Sequence, residues 1–305
     1  MTETQTQLRA RAINFAPVLF DKPATAAKIK AAIEESARDG CDLVVLPEMA
    51  LQGFETCKAC LDAGHACDRH LADGERADGP WMRDLVETVR QLGLYAVVGF
   101  GERDPVEPFV YNAAAVIGPE GLLGITRKLG VGSGGRGPVN FEDTFSPGSE
   151  ITVYDTRFGP IGVGICYDMW INPEIARIMV LKGARMLVIP TATVATTTTG
   201  DIEAMAFTRA RENGVFVVNA NLVNGYVDFP PPDGAKLYSH SYIAGPDFPR
   251  MARIWASTDD PFGTVTADID LGRREVLRMR EVRAPDGIRA NISRIVAQEY
   301  AALAE

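Results

Sequence analysis

Gly162-Val163-Gly164-Ile165-Cys166-Tyr167-Asp168 reads as a buried β-strand running straight into a cysteine, with a helix start at Asn172-Pro173-Glu174 shortly beyond it. In open α/β sheets ligands gather outside the carboxyl ends of strands, so a thiol here stands on a stiff scaffold at the mouth of a cleft. The turn also leaves backbone N–H groups free to form an oxyanion hole beside the sulfur. A single strand-end cysteine is more often an inert buried filler, so this one needs company to carry chemistry.

Outward from this stretch, short β-rich runs alternate with amphipathic helical segments. Upstream, Leu8 to Ala16 alternates as a half-buried strand, and Asp21 caps a helix with Ile29 and Ile33 on one face and Gly40 beyond its end. Leu43-Val44-Val45-Leu46 is a buried strand stopped by Pro47, and Trp81 to Leu92 is a helix stopped by Gly93. Leu94 to Gly101, Tyr111 to Ile117 and Leu122 to Lys128 read as three strands, as do Ile151 to Asp155 and Pro160 to Ile165. Downstream, Asn172 caps a helix with Pro173 at its first position. Strands at Met186 to Ile189 and Val215 to Asn219 flank a helix over Asp201 to Asn213. The segments Ser241 to Ala244, Arg253 to Ala256 and Gly263 to Ile269 are β-rich, and a last helix covers Ile288 to Ala304. The fold class is α/β, with continuous Val/Ile runs suggesting strands covered on both faces. No linker or solenoid-period repeat divides the chain, so residues 1–305 read as one domain with 1–7 as a flexible tail.

Two further strand ends end on charge. Leu43 to Leu46 runs through Pro47 into Glu48, and Leu122 to Arg127 runs into Lys128. A carboxylate and an ammonium placed after buried aliphatics are costly to desolvate unless they pair. Lys128 beside Cys166 would favour the thiolate, and Glu48 could take and return a proton.

These residues resemble the motifs of the nitrilase superfamily of carbon–nitrogen hydrolases. Leu43-Val44-Val45-Leu46-Pro47-Glu48 resembles its glutamate motif, Thr126-Arg127-Lys128 its lysine motif and Gly164-Ile165-Cys166-Tyr167-Asp168-Met169 its cysteine motif. Asn172-Pro173-Glu174, Arg209-Ala210-Arg211-Glu212-Asn213 and Asn219-Ala220-Asn221 extend the likeness, which runs from about Leu8 to Arg283 in the family's order. The resemblance implies a four-layer α-β-β-α sandwich, a Glu48–Lys128–Cys166 triad, and no cofactor or metal; of the free N–H groups in the turn after the cysteine, that of Tyr167 is the expected oxyanion contact. The resemblance further implies Glu142, shortly before Ser146-Pro147-Gly148, as a second assisting glutamate. Family members usually pair so that two sandwiches stack, which implies a homodimer or a higher homo-oligomer.

The departures from the pattern bear on the substrate. Gly130 stands where the family often has His, and Trp170 where carbamoylase-like members carry a basic residue that helps hold a carboxylate. Tyr167-Asp168 resembles the amidase and carbamoylase branches rather than the Trp-Glu of nitrilases. The loops expected around the pocket contribute Trp170, Thr191, Tyr226 and Phe229, with Arg136 as their one cation. Binding a carboxylate away from water generally needs a paired cation, so the expected substrate is a small neutral, partly apolar amide rather than an N-carbamoyl amino acid or an α-keto acid ω-amide. The alternatives are a nitrile, an N-carbamoyl substrate, or a catalytically silent binding protein on the same fold.

Other signals point elsewhere. Gly130-Val131-Gly132-Ser133-Gly134-Gly135 spells a dinucleotide motif, but no helical pattern follows to meet a pyrophosphate, so it reads as a loop bordering the site. Cys57, Cys60, His65, Cys67 and His70 have ligand types and spacing that could hold zinc, although the resembled family uses none. Thr196 to Thr199 read as a cap and turn into the following helix.

The 305 residues include 31 Lys+Arg against 40 Asp+Glu, for a net charge of −9 and no basic tract. Nucleic acid and anionic membranes are therefore unexpected partners. The longest stretches without a charged residue, Met186 to Gly200 and Asn213 to Val227, are about 15 residues and rich in Thr, Asn or Gly, too short to span a bilayer. Five cysteines without a framework pattern and a polar start of the chain point to the cytoplasm.

Overall fold

Period-two alternation along the strands determines the layering. In β1 (Gln7–Ile13), Leu8, Ala10 and Ala12 face one core while Ile13 joins another. The same split runs through β2 (Leu43–Val45), where Leu43 and Val45 face one way and Val44 the other. Because both faces are apolar, such strands must be covered twice.

The computed structural model describes residues 5–55, 59, 62–64, 69–132, 141–193, 200–227, 240–258, 260–273 and 290–303. The further elements are α1 (Lys22–Arg38), β3 (Phe54–Glu55), α2 (Arg69–Asp73), α3 (Pro80–Leu92), β4 (Tyr95–Arg103), β5 (Val110–Gly118) and β6 (Gly121–Arg127). They are followed by β7 (Val153–Tyr154), β8 (Ile161–Val163), α4 (Tyr167–Ile171), α5 (Pro173–Leu181), β9 (Met186–Thr191), α6 (Gly200–Asn213) and β10 (Phe216–Asn221). The last are β11 (Tyr226–Val227), β12 (Tyr242–Asp247), β13 (Arg250–Ser257), β14 (Thr264–Asp270) and α7 (Ala290–Leu303).

Two six-stranded sheets form, in the orders β14-β1-β2-β4-β5-β6 and β13-β12-β10-β9-β8-β7. Between them lies one core, to which Leu8, Val45 and Val97 contribute from the first sheet and Val163, Val188 and Val218 from the second. The outer face of the first sheet packs on α1 and α3 through Ile29, Ile33, Leu85 and Val89. The outer face of the second packs on α5 and α6 through Met179, Val180, Met205 and Ala206. The result is the expected α-β-β-α sandwich.

Helix punctuation follows the expected chemistry at several ends. Asp21 accepts the Ala24 N–H at 3.0 Å, and Gly93 closes α3 in the left-handed region at φ 71°. Three expectations are corrected. Asn172 precedes α5, with Pro173 at its start, but its side chain makes no capping bond. A helix does not wait until Asn172, because α4 opens at Tyr167, directly after the cysteine. Gln7 pairs with Asp270 and the Thr6 carbonyl accepts the Leu271 N–H at 2.8 Å, so the expected flexible tail does not extend through residue 7. No helix among the described residues is long and apolar enough to cross a membrane.

Candidate active site

Three strand ends from two sheets meet at one point. Glu48 follows β2, and Leu46 still continues the ladder by donating to the Val97 carbonyl at 2.8 Å. The chain then folds across β4 so closely that a Cβ on Gly99 would stand 2.1 Å from the Pro47 carbonyl oxygen. Only glycine permits that approach. Gln52 pins the loop beyond by pairing with Gly101 through both amide atoms, accepting at 2.9 Å and donating at 3.2 Å.

Lys128 follows β6. Its N–H donates to the Asn112 carbonyl at 2.8 Å, and its own carbonyl accepts from Gly148 at 2.7 Å. Its ammonium is therefore carried by a backbone held on both sides. Cys166 follows β8, and its N–H donates to the Pro190 carbonyl at the end of β9 at 2.8 Å. The cysteine adopts φ 47° and ψ −111°, a strained conformation for a residue with a Cβ. The sharp turn brings Met169 back over Gly164, where a Cβ would lie 2.4 Å from the Met169 sulfur.

Glu48, Lys128 and Cys166 are 1%, 2% and 7% exposed. Lys128 Nζ donates to Glu48 Oε1 at 2.9 Å and also to Glu142. Glu48, Lys128 and the Ala192 N–H all lie close enough to the Cys166 thiol to act on its proton. Burial, reinforced by the Glu48 charge, pushes the Cys166 thiol well above its ordinary range, outweighing Lys128 and the Ala192 N–H. Burial works against the Lys128 ammonium, but Glu48, Cys166 and Glu142 together hold its pKa well above the usual lysine value. The resting pair is thus a thiol beside an ammonium, not the thiolate that the charge of Lys128 alone would favour. Burial likewise raises the Glu142 carboxyl, against the pull of Lys128.

The strand-end logic finds this cluster but misses what holds it. Asn112, fully buried on β5, donates to Glu48 Oε1 at 2.6 Å. Asp168 accepts the Leu129 and Gly130 N–H groups, each at 2.8 Å, and so ties the turn after the cysteine to the chain after the lysine. Both are polar residues inside apolar runs, a signal that a buried partner must exist.

The remaining candidates fall in different places. The Tyr167 N–H opens the first turn of α4, where backbone donors lack an intrahelical acceptor. Trp170 is half-buried against the core under α5 and α6, with its ring 6.3 Å from that of Tyr167. Thr191 is fully buried, its hydroxyl 2.9 Å from both the Ala220 carbonyl and Asn221 Oδ1. Asn221 Oδ1 also accepts the Thr193 N–H at 3.1 Å, so its side chain brackets Ala192 from both sides. Arg136 lies outside the described residues, as do Phe229, Thr196 to Thr199 and the second half of the glycine-rich run, Ser133 to Gly135. Of the five proposed zinc ligands, Cys57, Cys60, His65 and Cys67 lie outside them too. His70 is buried among Phe20, Phe54 and Phe145, with ring centroids 5.2, 6.1 and 4.8 Å away.

Comparison with known proteins agrees with the fold and with the family that the sequence resembles. The carbon–nitrogen hydrolase family model matches residues 9–279. Omega-amidase NIT2-B of Xenopus laevis is 29% identical over 262 residues, covering 84% of this chain and 85% of that protein. A nitrilase of Pyrococcus abyssi is 30% identical, covering 85% of this chain and 89% of that protein. Among solved structures, a Glu-to-Gln mutant of the amidase from Nesterenkonia sp. AN1, showing covalent addition of the acetamide moiety of fluoroacetamide at its active-site cysteine, superposes with a TM-score of 0.67. That likeness covers 92% of this chain and 98% of the amidase at 19% identity.

Proposed function

The chain belongs to the carbon–nitrogen hydrolase family, within the nitrilase superfamily, and is an amidase-type carbon–nitrogen hydrolase; from that premise we propose that it cleaves a small neutral amide through a thioester on Cys166. The observation that carries this reading is the buried Lys128 ammonium bridging Glu48 and Glu142 beside the buried Cys166 thiol.

In the proposed cycle the thiol proton passes to Glu48 as Sγ attacks the amide carbon. The tetrahedral oxyanion is held by Lys128 and the Tyr167 N–H. Glu48 then protonates the departing nitrogen, the C–N bond breaks, and ammonia or an amine leaves the thioester behind. Glu48 next removes a proton from water, which attacks the thioester. The C–S bond breaks, the sulfur recovers its proton from Glu48, and the carboxylic acid departs. Glu142 touches Lys128 rather than the sulfur and orients the ammonium. No cofactor enters the cycle.

Charge near the turn supports a neutral substrate. Arg209 donates to the Met169 and Trp170 carbonyls at 2.8 and 3.1 Å and pairs with Glu212 at 2.6 Å, so its guanidinium is already committed to the protein. Among residues 130–140, 191–197 and 221–232, Arg136 is the one cation in the sequence that could clamp a carboxylate. The test is kcat/KM for a neutral amide, its carboxylated analogue and the matched nitrile, with wild type and Arg136→Ala. The neutral amide is expected to lead in both enzymes. A tenfold preference for the carboxylated amide, about 1.4 kcal/mol, that vanishes in Arg136→Ala would overturn the neutral assignment. The nitrile is the second reading because the Pyrococcus abyssi relative is a nitrilase. Faster ammonia release from nitriles would favour it.

The proposed assembly is a homodimer, and the proposed setting the cytoplasm. Exposed Ile171, Ile178 and Leu181 on α4 and α5 support the first. Acidic composition without a disulfide pattern supports the second.

A further inference from the structure

Asn112 is a fully buried amide in a strand that is otherwise apolar on either side of it. Its Nδ2 donates to Glu48 Oε1 at 2.6 Å, and Lys128 Nζ donates to the same oxygen at 2.9 Å. Its backbone carbonyl accepts the Lys128 N–H at 2.8 Å. One residue thus touches both the carboxylate through its side chain and the lysine through its main chain. Asn112 Oδ1 has no partner among the described residues, so the carboxylate is what fixes the amide's orientation. A carboxylate oxygen has two lone-pair sites, and both of those on Oε1 are occupied. The proton of Cys166 is then left to Oε2.

We infer that Asn112 is a positioning residue of the reaction, fixing which oxygen of Glu48 exchanges a proton with Cys166 and keeping that carboxylate in register with Lys128. The inference rests on the proposed roles of Glu48 and Cys166. It assigns Asn112 no contact with the substrate. Its loss is therefore expected to slow turnover while leaving substrate affinity nearly intact.

The test measures kcat, KM and the thermal midpoint for Asn112→Ser, Asn112→Asp and Cys166→Ala on a small neutral amide. Asn112→Ser is expected to lose about 10- to 100-fold in kcat, as for a lost hydrogen bond to a charged group, with KM within about threefold of wild type. Asn112→Asp supplies a signature that mere packing would not. Its new carboxyl faces Glu48 and Lys128, with Glu142 and Cys166 beside Lys128. It can donate to Glu48 only when protonated, so its kcat relative to Asn112→Ser is expected to rise as pH falls from about 8 to about 6. Wild-type kcat in Asn112→Ser, or a constant ratio between the two variants across that range, would overturn the role of Asn112. Full activity in Cys166→Ala would instead overturn the catalytic reading beneath it.

Discussion

At the scale of the residue, the proposed chemistry turns on a thiol that burial keeps protonated. Cys166 is driven up by desolvation first and by the Glu48 charge second, and Lys128 does not reverse the sign. A raised thiol pKa means the neutral form persists through neutral pH, and thiolate accumulates only well into the alkaline range. In the proposed cycle nucleophile formation is therefore coupled to proton transfer to Glu48 in the presence of substrate. The matching expectation is that iodoacetamide alkylates Cys166 of the resting enzyme slowly at neutral pH, with a rate that climbs beyond the ordinary thiol range near pH 8.5. A rate already on its plateau at pH 7 would contradict it. Glu48 and Lys128, proposed to act in the chemistry, are legible as strand-end charges, because a carboxylate or ammonium following buried aliphatics is conspicuous in one dimension. Asn112 and Asp168 were not, since their partners lie 64 and 39 residues away in sequence and only the fold brings them together.

At the scale of the element, strands deliver the groups and tight backbone contacts aim them. The turn carrying Glu48 lies on β4 with no room for a side chain at Gly99. Gly99→Ala is expected to displace that turn and lower kcat by about a hundredfold, the effect of misplacing a reacting group by roughly 1 Å. Wild-type kcat in a folded Gly99→Ala would show that the approach is not needed. Strand and helix positions were largely readable from periodicity, as with α3 between its Pro80 start and Gly93 stop. The short α4 was hidden because five residues, Tyr167–Ile171, are too few to show a helical period. The parallel pair β3 and β11 was hidden for a different reason. It joins Phe54 to Tyr226 across a separation that no local pattern records.

At the scale of the molecule, the site belongs to neither sheet alone. Glu48 and Lys128 come from the first sheet and Cys166 from the second, so the core between the sheets sets their separation. The buried ion pair also links function to stability. Removing Lys128 leaves Glu48 and Glu142 without their shared cation, and Lys128→Ala is expected to cost about 3 to 5 kcal/mol of stability besides its activity. An unchanged denaturation midpoint in Lys128→Ala would contradict that linkage. The exposed apolar face on α4 and α5 gives the corresponding expectation for assembly. The wild type should sediment as twice its 33.0 kDa chain mass, and Ile171→Asp with Ile178→Asp should shift it toward the monomer. A monomeric wild type at tens of micromolar would contradict it.

The proposed cycle hinges on a covalent bond between the substrate acyl carbon and Cys166 Sγ, made and broken with the help of Glu48. Intact-protein mass spectrometry with peptide mapping of the wild-type enzyme, acid-quenched during turnover of a small neutral amide, tests it. Acid arrests the water step that Glu48 activates, so the thioester should be captured and the acyl mass should map to the peptide containing Cys166. Absence of any adduct on Cys166, together with full amidase activity in Cys166→Ala, would contradict the account.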